Sequence, residues 1–178
     1  FSKNSNVRLA VARAGNVIGG GDWAEDRLVP DCFKSWMVNQ QLILRNPSST
    51  RPWQHVLEPL SGYLQLAEEL FLKERDVTGA WNFGPNDQDA KSVEWIIKNL
   101  SVKWGTTVGS KMQYGSKPHE AHFLKLDTSK AKKQLNWEPK WTLNTALDKV
   151  IDWQKSWCAS EDIRAKCLTQ ISEYTGKE

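Results

Sequence analysis

A strand that ends in a glycine-rich turn constrains this chain more than any other feature in it. The turn reads Arg13-Ala14-Gly15-Asn16-Val17-Ile18-Gly19-Gly20-Gly21-Asp22-Trp23 and follows directly on the apolar run at residues 7–12. In an open α/β sheet such a turn delivers polar groups to a ligand beyond the carboxyl ends of the strands. A phosphate-binding turn, by contrast, has the spacing Gly-x-Gly-x-x-Gly and opens a helix, and that spacing does not occur here. The glycines run instead into Asp22-Trp23-Ala24-Glu25-Asp26, whose anions repel a phosphate. No tyrosine carries a lysine four residues on, since Tyr63, Tyr114 and Tyr174 are followed there by Ala67, Pro118 and Glu178. The expectation is the back half of a doubly wound unit, with no cofactor-binding or catalytic residues of its own.

The 178 residues fit one domain, residues 1–178, and a chain of this size buries roughly 70% of its unfolded surface. Ten tryptophans, from Trp23 to Trp157, read mostly as packing residues. A net charge of +3 with acids and bases interleaved gives nucleic-acid binding little support. No apolar stretch approaches the roughly 20 residues of a membrane span, so neither membrane nor nucleic acid is an expected partner and the expected compartment is the cytoplasm. Cys32, Cys158 and Cys167 are odd in number and irregularly spaced, which reads as free thiols. His119-Glu120-Ala121-His122 lacks the spacing of a zinc-protease helix, so no metal is expected.

Along the chain, Phe33, Trp36 and Met37 predict a helix after Pro30, and Leu42-Ile43-Leu44 a short strand. From Pro59 an amphipathic helix is expected to bury Leu60, Tyr63, Leu64, Ala67, Leu70 and Phe71. Ser92 caps a helix bearing Val93, Ile96, Ile97, Leu100 and Trp104, and Thr142 opens one whose inner face is Leu143, Ala146, Leu147, Val150, Ile151 and Trp157. A further strand is expected around residues 111–114, and a polar helix after Ser160. The opening strand, residues 7–13, needs a neighbour: residues 80–83, residues 123–126, or a second copy of the chain.

The turn, together with Asp26-Arg27-Leu28-Val29-Pro30, Arg51-Pro52-Trp53-Gln54-His55-Val56, Trp81-Asn82-Phe83-Gly84-Pro85, Pro118-His119-Glu120-Ala121-His122 and Leu135-Asn136-Trp137-Glu138-Pro139, resembles the CDP-glucose 4,6-dehydratases. These belong to the extended short-chain dehydrogenases/reductases. The resemblance implies an α/β fold: a carboxyl-terminal substrate-binding domain with one remnant Rossmann strand at residues 7–13. It also implies a lyase reaction, in which NAD takes a hydride from C4 of the hexose, water leaves across C5 and C6, and the hydride returns to C6. The family's glycine-rich NAD turn, Tyr/Lys pair, Thr and acidic pair have no counterpart here. The chain is therefore expected to bind CDP-glucose without turning it over, and to meet a complementary NAD-binding half or to self-associate.

The same resemblance implies substrate-binding positions. Asn16 meets the sugar or nicotinamide, the alternative being a turn-forming Asx residue. Arg27 and Arg51 meet the nucleotide diphosphate, for which a guanidinium fork suits, or else form salt bridges. Leu28, Ile43, Leu44 and Arg45 form the wall beside the base, although the apolar members also read as core. Asn82 contacts substrate or caps its turn. His119 lies in the loop over the nucleotide, where this chain has Lys117-Pro118-His119-Glu120 in place of the family's Arg-Pro-Gly-Asp.

Overall fold

The computed structural model describes residues 7–72, 75–112 and 123–176. The elements are β1 (Ala10–Ala14), β2 (Asn16–Ile18), α1 (Leu28–Met37), β3 (Leu42–Leu44), β4 (Thr50–His55), α2 (Leu57–Leu72) and β5 (Gly79–Phe83). After them come β6 (Ala90–Ser92), α3 (Val93–Trp104), β7 (Ser110–Met112), α4 (Ser129–Leu135), α5 (Leu143–Cys158) and α6 (Ile163–Thr175). β1 runs parallel to β5, β2 parallel to β4, and β3 parallel to β7, while β6 lies antiparallel on β4.

Of the two internal neighbours expected for the opening strand, residues 80–83 take the role, with Ala12 opposite Trp81. Residues 123–126 meet β4 instead, where Leu124 N–H donates to the Thr50 carbonyl at 3.2 Å. The ladder begins at Ala10 and not at Val7, because its partner strand begins only at Gly79, after a turn in which Asp76 Oδ1 accepts from Thr78 N–H. Ala10 and Ala12 face inward against a core of Leu66, Val77, Trp81, Phe83, Ala131, Leu135 and Trp137. Val7, Leu9 and Val11 point the other way and stand 59%, 51% and 50% exposed.

A second core gathers Ile18 with Val29, Phe33 and Trp36 of α1, Ile96 and Leu100 of α3, and Leu143, Leu147 and Val150 of α5. The caps read from sequence form as local chemistry dictates: Ser92 accepts from Trp95 N–H and Thr142 from Thr145 N–H. Trp157 departs from its expected inner face, standing 43% exposed with its ring 4.5 Å from that of Trp23.

The expected inner face of α2 holds only in part: Tyr63 and Leu70 pack against the first core. Glu58, Pro59, Gly62 and Leu66 are buried, whereas Leu60, Leu64 and Phe71 are 44%, 73% and 82% exposed. Two groups that carry no hydrophobic signal set this rotation. A Cβ on Gly62 would lie 2.2 Å from the Phe83 ring, so only glycine lets helix and strand approach there. One turn earlier, the Glu58 carboxylate accepts from Lys140 N–H at 3.0 Å, Trp141 N–H at 2.7 Å and the Tyr174 hydroxyl at 2.8 Å.

His55, at the end of β4, is 2% exposed and packs its ring on Trp141 at 4.9 Å. Its Nδ1 accepts from Leu57 N–H at 3.3 Å, which fixes the neutral tautomer with the proton on Nε2. Burial, with the Lys149 charge second, lowers its pKa from 6.5 to about 4. The unfolded chain takes this proton first as pH falls, so stability present above about pH 6.5 is lost progressively toward pH 4. From pH 7 to 4 the native chain is expected to lose about 3 kcal/mol more than His55→Phe. Urea unfolding of both chains across that range measures the difference, and parallel curves would remove His55 as the cause.

Candidate nucleotide-binding cleft

The turn after β1, the strand β2, the first residues of β4, the amino end of α1 and the strand β3 surround a cleft of about 650 Å³. Each wall has a local reason. Past Ile18 the chain turns through Gly19–Gly21, and a Cβ on Gly20 would lie 2.1 Å from the Trp153 ring, so the bare backbone lies against that indole. The Trp153 indole N–H in turn points at Cys167 Sγ at 3.3 Å, tying the turn to α6. α1 starts at Leu28, placing Arg27 at the mouth and Asp31 in its first turn.

Seven of the nine residues singled out in the sequence line this one cleft: Asn16, Arg27, Leu28, Ile43, Leu44, Arg45 and Arg51. Arg51 is the most buried of the three arginines, at 7% exposed, and its guanidinium donates to the Thr50 carbonyl at 2.9 Å. Trp53 beside it is held by a 2.9 Å bond from its indole N–H to the Lys91 carbonyl. Ile43 is open to the cleft, while Leu28 and Leu44 serve the core as well. Asn82 is not in the lining: its Nδ2 donates to the Asp127 carbonyl at 3.0 Å, and its Oδ1 is buried with no partner among the described residues. His119 lies outside the described residues.

The sequence reading did not assign three cleft carboxylates: Asp22, Asp26 and Asp31. Asp22 pairs with Arg27 at 3.1 Å and Asp26 with Arg45 at 2.7 Å. The signal was present in the acidic run after the glycines, which reads as repelling phosphate. In the fold these anions orient the exposed guanidinium groups instead. Burial, the largest influence, raises the pKa of Asp31. The described lining residues include three arginines and three aspartates, a formal balance that favours a ligand bearing hydrogen-bond donors as well as anionic oxygens.

Among the described residues no cluster of His, Cys, Asp and Glu has the makings of a metal site, and no helix is long and apolar enough to cross a membrane.

Fold and sequence together define a likeness: the chain is similar to the extended short-chain dehydrogenase/reductase family of nucleotide-sugar epimerases and dehydratases. Within that family it is similar to CDP-glucose 4,6-dehydratase of Salmonella typhimurium, with 51% identity over 168 residues, 94% of this chain and 47% of that protein. The fold is also that of UDP-glucuronic acid 4-epimerase from Bacillus cereus, solved with UDP-glucuronic acid and NAD, at a TM-score of 0.74 and 20% identity over 87% of this chain and 48% of that one. UDP-glucose 4-epimerase from Thermotoga maritima, solved with UDP-glucose, gives 0.74 and 21% over 88% and 48%. No protein-family model matches the chain. The chain spans about half the length of these relatives.

Proposed function

We propose that residues 1–178 form one nucleotide-sugar-binding unit of an NAD-dependent CDP-glucose 4,6-dehydratase-like cytoplasmic protein, with the strand at residues 7–13 its share of a Rossmann sheet. One observation carries this reading: three guanidinium groups, the Asn16 amide and an apolar wall converge on a single cleft. The fork geometry of arginine suits a diphosphate, and the wall of Leu28 and Ile43 suits the face of a base.

The described residues do not fit the pyrophosphate of NAD. Gly19–Gly21 closes on Trp153 and leads to Asp22, and the next helix opens only at Leu28. The cofactor and the hydride chemistry therefore belong to the full-length family, and this unit binds substrate without converting it. Val7 and Leu9 before β1, Val11 on it, and Leu60, Leu64 and Phe71 on α2 are uncovered apolar side chains. They support a partner surface, filled by a complementary NAD-binding half or by a second copy.

Calorimetric titration of the chain with CDP and CDP-glucose tests the reading, with alkaline absorbance of the 4-keto product as the activity assay. Binding without turnover is expected. No CDP binding, or turnover by the purified chain, would overturn it.

A further inference from the structure

Two of the three cleft carboxylates are already matched, Asp22 by Arg27 and Asp26 by Arg45. Asp31 is different. It lines the cleft half-buried, and no hydrogen bond reaches its carboxylate among the described residues; Lys34, Asp26, Arg45 and Glu25 act on it only through space. The Lys34 ammonium is engaged elsewhere, donating to the Trp23 carbonyl at 3.1 Å. A carboxylate that has given up water and gained no donor is an acceptor waiting for one. Its place says which part of a ligand supplies it. Leu28 and Asp31 are three residues apart on α1, so they share a helix face, and Leu28 forms the apolar wall with Ile43. A ring lying on that wall presents its edge to Asp31.

We infer that Asp31 selects the base: its carboxylate accepts the exocyclic amino N–H of cytosine and disfavours uracil, which offers a carbonyl oxygen at the same place. The inference rests on the reading of the cleft as a nucleoside diphosphate site. Relatives of this fold are named for both UDP- and CDP-sugars, so the base must be told apart by side chains that the shared fold does not fix.

The test is calorimetric titration of CDP and UDP into the full chain, as wild type, Asp31→Asn and Asp31→Ala, with thermal melts to check folding. Wild type is expected to prefer CDP by about tenfold or more. Asp31→Asn, whose amide can turn to donate or accept, should bring the two nucleotides within about threefold by gaining UDP as well as losing CDP. Asp31→Ala should lose the preference without the gain. If both nucleotides bind and the ratio survives in Asp31→Asn, or wild type shows no preference, this inference falls while the cleft reading stands. If neither nucleotide binds wild type, both fall together.

Discussion

Arg51→Ala is expected to weaken CDP binding by roughly 2–5 kcal/mol, the largest loss from any single change in the cleft. The reason is desolvation. At 7% exposed, Arg51 would meet a phosphate away from water, where a charge-assisted bond is strong and an unmatched anion is costly. Arg27 and Arg45 have side chains 63% and 52% exposed, so water screens a phosphate bound there. Their alanine variants should each cost about 1 kcal/mol or less. Titrations of the three variants, each checked for an unchanged melting profile, decide the matter. Equal losses at all three positions would point to diffuse attraction in place of a seated phosphate.

Glu58→Ala is expected to destabilise the fold by roughly 3–5 kcal/mol. Glu58 is fully buried, and burial raises its pKa against the effect of its hydrogen bonds. Truncation strands the N–H groups of Lys140 and Trp141 and the hydroxyl of Tyr174, at about 1–3 kcal/mol for each buried group left unpaired. Tyr174 keeps one alternative, the Ser61 hydroxyl at 3.1 Å, which also takes the Trp137 indole N–H at 2.9 Å. Glu58→Gln retains one acceptor oxygen and should cost less than half as much. Urea unfolding followed by tryptophan fluorescence measures both. A loss under about 1 kcal/mol for alanine would mean that water replaces the carboxylate and that α6 is not anchored through it.

Much of the fold was legible because the determining interactions are local. Apolar residues at helical spacing mark α3 and α5, and hydroxyl caps set their first turns. The strand and turn at residues 10–18 are written in alternation followed by glycine. The motif succession carried the family, and with it seven residues that the structure gathers in one cleft.

Side-chain direction was not legible where a distant segment sets it. On α2 Tyr63, Leu66 and Leu70 meet the core while Leu60, Leu64 and Phe71 do not, because Gly62 against Phe83 and Glu58 against the backbone at 140–141 fix the rotation. Asn82, which the resemblance matched to a substrate contact with turn capping as the alternative, donates its amide to the Asp127 carbonyl and is not among the described lining of the cleft. The acidic run at residues 22–26 read as hostile to anions, and in the fold it holds two of the arginines that face the cleft, Arg27 and Arg45.

The sequence by itself determined the helices, the strands other than β2 and β6, and the arginines and apolar residues available for binding, since period, caps and turn chemistry act over a few residues. Tertiary structure alone decided which groups share the cleft and which carboxylates already have partners. Those facts depend on the approach of segments tens of residues apart, where a hydrogen bond or a ring contact turns a side chain inward or outward independently of its neighbours in sequence.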